Sequence, residues 1–428
     1  MVIVDSQLNK REKNNNPIKV AVIGAGEMGK GIINQITKYT PGITVAITYN
    51  RTIEKAIDVY KEVGISNYKI VDNGVDLNKA LDKSYSVITS NIDAVCDAKD
   101  IDVLLEVTGT IEFAAQTILK AFKNGINVLS FNVEIDATLG PLLKQKAKEA
   151  GVKYSVADGD QPGVTMNLYR YVKSMGFEPL LCGNIKGLQD HYRNPTTQKG
   201  FAAMWDMTPE MVTSFADGTK ISFEQACIAN ATGMQVAKRG MYGYHSKEHV
   251  DDLTHLFDIE ELKSKGGIVD YIVGAKPGPG VFIYATTEDP IAKKYLKYGK
   301  LGEGPLYSFY IPYHLLFFEI ASAICRLVDF DDTIITAEHG MMVDVVAVAK
   351  ESMKAGDIID GLGGYKTYGV CENYNISRIE MLLPMGLAEG CKVIRDIAKD
   401  QVITYADVEL PANRLSIHLR KEQDQIIH

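Results

Sequence analysis

No stretch of the 428-residue chain gathers positive charge into a block: 46 lysines and arginines stand against 54 acids, for a formal net charge of -8. A row of phosphates would find nothing to neutralise it, which argues against a nucleic-acid partner and for a small-molecule substrate. Cysteine is sparse. Cys96, Cys182, Cys227, Cys325, Cys371 and Cys391 are scattered, with no C-x-x-C and no metal-type spacing, so they read as reduced, mostly buried thiols in a reducing compartment. No apolar run is long enough to span a bilayer. The best, His314–Val328, is interrupted by Glu319 and reads as a buried helix, so no membrane partner is expected. The polar N-terminal segment lacks an apolar signal region, which makes residues 1–16 a flexible lead-in and the expected location cytoplasmic. Internal repeats and low-complexity tracts are missing as well.

What is present is a globular composition, 46% hydrophobic and 23% charged, in a chain long enough for two or three domains. Lys19–Gly31 reads K-V-A-V-I-G-A-G-E-M-G-K-G: an apolar, β-branched run, then G-x-G-x-x-G at Gly24, Gly26 and Gly29. The first glycine serves a sharp strand-to-helix turn, the second lets backbone approach a pyrophosphate, and the third lets the helix lie against the sheet. Met28, Ile32, Ile33 and Ile36 follow at helical spacing, so Gly24, Gly26, Glu27, Met28 and Gly29 are expected to hold a dinucleotide at the helix N-terminus. The second strand, Ile43–Tyr49, ends on Asn50, Arg51 and Thr52 with no acid at its tip. An acid there would favour NAD(H); Arg51 can pair with a 2′-phosphate, so NADP(H) is the expected cofactor.

Beyond it the chain reads as helix, a short strand around Lys69–Val71, helix, and an Ile92–Val95 stretch. Buried strand Ile101–Val107 follows, stopping at Thr108 and Gly109, where a nicotinamide would lie. Helix Phe113–Lys123, strand Asn127–Phe131 ending at Asn132, helix Leu139–Ala150 and strand Val152–Ala157 complete the series. This alternation over 17–157 implies a doubly wound parallel α/β sheet. Residues 158–337, Tyr-rich and punctuated by Gly and Pro, read as an α+β substrate domain. Residues 338–411 read as a small β-rich module and 412–428 as a peripheral tail.

For the chemistry, Lys186 between Gly183 and Gly187 is the leading proton source or fixed cation for a carbonyl being reduced, with Asp190 and His191 close in sequence. Asp158 and Asp160, with Glu134 and Asp136 at a neighbouring strand end, form an acidic group. It could hold a divalent cation through Glu134 and Asp160, share a proton, or simply cap the next helix. Tyr307, Tyr310, Tyr313 and His314 suit a polyol or phosphate, or serve as packing. Arg193, Arg239, Lys238 and Lys276 are candidate phosphate ligands.

These motifs carry a resemblance. E-V-T-G-T at Glu106–Thr110 and N-G-I-N-V-L-S-F-N-V-E at Asn124–Glu134 resemble the NADP-binding domain of homoserine dehydrogenases, with Val133 where that family usually has lysine. A-D-G-D-Q-P-G at Ala157–Gly163, G-N-I-K-G at Gly183–Gly187, K-P-G-P-G at Lys276–Gly280 and G-E-G-P-L-Y-S-F-Y-I-P-Y-H-L at Gly302–Leu315 resemble the deoxyxylulose-phosphate-reductoisomerase-like oxidoreductases, and about Glu338–Leu410 resembles a SAF module. The resemblance implies an NADPH-dependent enzyme and a small phosphorylated substrate. Its best known activity is a reductoisomerase turning 1-deoxy-D-xylulose 5-phosphate into 2-C-methyl-D-erythritol 4-phosphate, in which case Mg²⁺ or Mn²⁺ is expected. A homo-oligomer is also expected. A homoserine or other hydroxy-acid or polyol dehydrogenase, and a cofactor-sensing binding protein, stay open beside it.

Overall fold

A computed structural model describes residues 3–426 and divides the chain into two compact units, one reaching Gly163 and including Leu315–Thr336, the other comprising Val164–His314 and the chain from Ala337. The first unit runs α1 (Asp5–Lys13), β1 (Ile18–Ile23), α2 (Glu27–Tyr39), β2 (Ile43–Tyr49), α3 (Ile53–Val63), β3 (Tyr68–Ile70), α4 (Gly74–Asp82), β4 (Ser86–Thr89), α5 (Ile92–Cys96), β5 (Val103–Glu106), α6 (Ile111–Lys123), β6 (Asn127–Ser130), α7 (Val133–Glu149) and β7 (Tyr154–Val156). Its seven strands pair in parallel in the order β3-β4-β2-β1-β5-β6-β7. β1 lies inside the sheet with helices over both faces, so a run such as V-A-V-I is buried without alternation. Strand order reverses between β1 and β5, and ligands of such sheets lie in the crevice beyond the carboxyl ends at that point.

The structure corrects several sequence expectations here. Residues 1–2 lie outside the described residues, but the rest of the supposed lead-in is not a loose arm. α1 buries Leu8, Arg11 binds the Asp329 carboxylate through Nε at 2.9 Å and Nη2 at 2.5 Å, and Glu12 accepts from the Gly42 N–H at 2.8 Å. The Ile92–Val95 stretch, which the sequence leaves without an element, is helical, its N-terminus capped by the Asn91 side chain accepting from the Asp93 and Ala94 amides, and it follows a strand, β4, that the sequence does not single out. α7 begins at Val133 rather than Leu139. Asn132 caps it, and Gly140 and Pro141, residues that ordinarily interrupt a helix, lie within it. Leu315–Thr336, read as part of the central domain, returns to the first unit. Ile335 bridges Val156, and the Ser155 hydroxyl accepts from the Ile334 and Ile335 amides.

α8 (Gln161–Ser174) leads out of the first unit. The second continues with β8 (Glu178–Lys186), α9 (Pro195–Met204), α10 (Pro209–Asp217), α11 (Thr219–Thr232), β9 (Tyr244–His245), α12 (Ile259–Ser264), β10 (Ile268–Val273), β11 (Gly280–Thr286), α13 (Pro290–Tyr298) and β12 (Tyr307–Ile311). After α14 (Ile320–Asp329), which belongs to the first unit, come β13 (Val343–Ala349), β14 (Thr367–Asn373), α15 (Tyr374–Ile379), α16 (Met385–Ala388), β15 (Lys392–Val393), β16 (Val408–Glu409) and α17 (Leu415–Ile426). A mixed five-stranded sheet, β12-β11-β8-β10-β9, carries α11 packed against β10, and α11 also meets the antiparallel β13–β14 pair. Buried Lys350, just past β13, donates to Asp217 and to the carbonyls of Arg193 and Gly364, each at 2.8 Å. The expected peripheral tail is instead α17, whose Arg420 is buried against Asp344 of β13; residues 427–428 lie outside the described residues.

Candidate functional site

Gly24 turns the chain with φ +116°, a conformation that favours glycine. A Cβ built on Gly29 would overlap the Gly24 carbonyl oxygen, so only hydrogen lets α2 start this close to β1. A Cβ on Gly26 would meet nothing within 4 Å, leaving open space in front of the helix N-terminus. That combination of tight turn, close helix contact and open cradle fits a dinucleotide pyrophosphate. Glu27 pairs with Lys30 at 3.0 Å and Met28 is half-buried.

At the tip of β2 the three candidates separate by role. The Asn50 side chain accepts from the Ala25 N–H at 3.0 Å and donates to the Thr52 carbonyl at 2.6 Å, which ties the glycine loop to the end of β2. Thr52 precedes α3 without a side-chain cap bond. Arg51 is exposed and has no ion-pair partner among the described residues, so its guanidinium remains available to an anion.

Past β5, the Thr108 hydroxyl lies 3.1 Å from that of Thr110, Gly109 takes φ +70°, and Asn132 donates to the Thr110 carbonyl at 3.2 Å while capping α7. Asn132 is therefore a tie between the two loops that follow β5 and β6. Glu106, quoted in the sequence only as the head of a motif, is fully buried at this edge. It accepts from the Thr108 N–H at 2.9 Å and from the Thr108 hydroxyl. Burial pushes its carboxyl up to about 7, against the opposing pull of Thr108 and Asn132. No sequence pattern distinguishes such an acid from an ordinary strand-end glutamate; burial does.

The acidic group does not assemble as a ligand set. Asp158 accepts from the Gly159 N–H and sits 3.6 Å from Arg326, both side chains being 2% exposed, and Arg326 also holds Asp332 at 2.9 Å. Asp160 accepts from the Gln161 N–H at 2.9 Å, at the start of α8. Glu134 and Asp136 occupy the first turn of α7 rather than a strand end, where the helix dipole suits them. Among the described residues no three His, Cys, Asp or Glu side chains gather as metal ligands, so no metal step is derived.

In the second unit Lys186 ends β8, half-buried, with its backbone carbonyl accepting from the Gly274 N–H at 2.7 Å. Its ammonium has no ion-pair partner among the described residues. Asp190 is taken by Arg193 at 3.0 Å, and His191 pairs with the Asp217 carbonyl at 2.8 Å and stacks on Tyr368. Tyr307 is core, 1% exposed, whereas Tyr310 and Tyr313 are accessible and His314 is half-buried. Arg239 bridges Glu372 at 2.5 Å and Glu380 at 2.6 Å, which leaves it committed to structure; Lys276 is exposed.

Residues 24–157 match the family model described as the NAD binding domain of homoserine dehydrogenase, and residues 159–320 match that described as the catalytic domain of oxidoreductase DRL. Among curated proteins, homoserine dehydrogenase of Bacillus subtilis is 25% identical over 134 residues, 31% of this chain and 28% of that one. That of Mycobacterium bovis is 22% identical over 242 residues, 55% of this chain and 50% of that one. The chain thus spans at most half the length of these relatives. Among solved structures, a putative NADPH-dependent oxidoreductase of Desulfitobacterium hafniense aligns over 76% of this chain and 91% of its own, at 13% identity and TM-score 0.42. A scyllo-inositol dehydrogenase of Lactobacillus casei with bound NAD(H) and scyllo-inositol aligns over 76% and 92%, at 14% identity and TM-score 0.40.

Proposed function

As an NAD(P)-dependent oxidoreductase that joins a homoserine-dehydrogenase-type NAD-binding domain to a DRL catalytic domain, this protein, we propose, uses NADPH to reduce the carbonyl of a small phosphorylated sugar or polyol precursor. The observation that carries the cofactor choice is Arg51, an unpaired cation at the tip of β2 where NAD(H)-specific sheets place an acid. Arg51→Ala is expected to weaken NADPH binding about tenfold or more while leaving NADH unchanged, since only the 2′-phosphate loses a charge-assisted bond. Fluorescence titration with both cofactors checks it, and an unaltered preference would remove the assignment.

Bound nicotinamide supplies the hydride. The chain itself must supply a proton to the substrate oxygen or a fixed cation beside it, and Lys186 is the residue proposed for that task because its ammonium is not spent on an ion pair. Lys186→Ala is expected to lower kcat by at least ~100-fold with NADPH affinity intact. The first substrate to assay is 1-deoxy-D-xylulose 5-phosphate, beside other ketose phosphates and L-homoserine with NADP⁺, each with and without chelator. A skeletal rearrangement needs two substrate oxygens held together, which metals do well. Turnover of 1-deoxy-D-xylulose 5-phosphate that is lost in chelator would favour isomerisation, and chelator-resistant turnover would favour plain reduction. Cofactor binding without turnover of any substrate would move the assignment to a cofactor sensor. The module at 338–411 is proposed to be SAF-like and takes no part in this chemistry.

A further inference from the structure

Glu106 has no role in the reading above, yet it ends β5 directly opposite Ile23 of β1, at the reversal of strand order where a nicotinamide ring lies in sheets of this class. Its Oε1 takes both bonds from Thr108, while Oε2, in a fully buried side chain, has no partner at hydrogen-bond distance among the described residues, although the Asn132 side chain still favours the ionised carboxyl. A buried carboxylate oxygen without donor or cation is costly when charged. Among the described residues the neighbouring element ends supply no cation: β1 ends in Ile23, β6 in Ser130, the first turn of α6 carries Glu112, and the first turn of α7 carries Glu134, whose charge opposes ionisation further.

We propose that Glu106 is the counter-charge of the oxidised nicotinamide ring, keeping its proton beside the neutral reduced ring and releasing it to solvent when the positively charged ring binds. The inference rests on the cofactor placement proposed above. No bond to the cofactor forms and no electron moves in this step: the protonated protein and NADP⁺ give the ionised protein–NADP⁺ complex and one proton. Burial pushes the carboxyl of the cofactor-free protein up to about 7, which places the exchange near neutral pH. The sign follows from linkage. NADP⁺ prefers the ionised form and binds more tightly as pH rises toward that value, whereas NADPH, whose ring carries no charge, gains nothing from the ionisation.

The test is calorimetric titration of the full chain with NADP⁺ and with NADPH at pH 6 and pH 8. The ratio of their dissociation constants is used because the 2′-phosphate, common to both, titrates in the same range and cancels. The ratio Kd(NADP⁺)/Kd(NADPH) is expected to fall about tenfold between the two pH values. At pH 6.5, heats in two buffers of different ionisation enthalpy should show more proton release with NADP⁺ than with NADPH, the 2′-phosphate contributing equally to both. Glu106→Gln keeps an oxygen acceptor for Thr108 and has no proton to lose, so its ratio should be flat in pH. A flat ratio in the unaltered protein, equal proton release with both cofactors, or a persisting slope in Glu106→Gln would overturn the inference. The proton-release measurement needs no variant. Failure of both cofactors to bind would overturn the cofactor reading itself, and this inference with it.

Discussion

Arg420→Ala should cost about 3–5 kcal/mol of stability, the loss expected when one partner is removed from a buried ion pair. Arg420 Nη2 lies 2.6 Å from Asp344 Oδ2 and Nη1 3.2 Å from Oδ1, with side-chain exposures of 3% and 1%. Asp344 also receives Ser377 at 3.1 Å and the Val345 N–H at 3.0 Å, and Arg420 reaches Asp424 at 2.9 Å. Deleting the guanidinium leaves the Asp344 carboxylate on β13 buried with neutral donors alone. It also releases α17 from the body of the second unit. The midpoint of thermal unfolding should fall by on the order of 10 °C. Arg420→Met combined with Asp344→Leu should recover most of the loss, because an apolar pair of similar volume carries no uncompensated charge. A single-variant loss under ~1 kcal/mol would show that the pair does not hold α17 in place.

Gly29→Ala should abolish useful cofactor binding, with affinity falling on the order of 100-fold, and should also destabilise the fold by about 1–3 kcal/mol. Helix propensity alone predicts the opposite sign, since alanine is favoured over glycine within a helix by about 1 kcal/mol. The clash decides: the new methyl would overlap the Gly24 carbonyl oxygen, which is backbone, so α2 must move away from β1 and its N–H groups must leave the anion position. Gly26→Ala separates the two consequences. Beyond the adjoining residues nothing lies within 4 Å of its Cβ, so stability should stay level while affinity still falls, because the methyl occupies the space the pyrophosphate needs. Equal cofactor affinity in Gly26→Ala and unaltered protein would refute the pyrophosphate cradle.

How much of this was legible in the chain follows from the distance over which each feature is decided. β1, the glycine turn and α2 are local: burial on both faces, positive φ and helical spacing are written within about fifteen residues, and the structure follows them. The parallel sheet follows from alternation in the same way. α1 escaped notice because it buries Leu8 alone among its residues and is fastened by Arg11 to Asp329, 318 residues on. The acidic residues show the same limit. Asp158 and Asp160 stand one residue apart, yet Asp158 faces Arg326 and Asp160 the Gln161 N–H, so adjacency in sequence did not make them one group.

By itself, then, the sequence determined a nucleotide-binding α/β sheet and the acid-free, arginine-bearing tip of β2, because turn geometry, strand burial and helix periodicity are properties of neighbours along the chain. Tertiary structure alone decided which charges are spent and which remain at work. Arg239, Asp158, Asp190 and Arg420 are consumed in pairs, Lys186 and Arg51 are left without one among the described residues, and Glu106 is buried with no ion-pair partner among them. The physical reason is that an ionisable group takes its character from desolvation and from charges within a few ångströms, and folding chooses those neighbours from segments hundreds of residues apart.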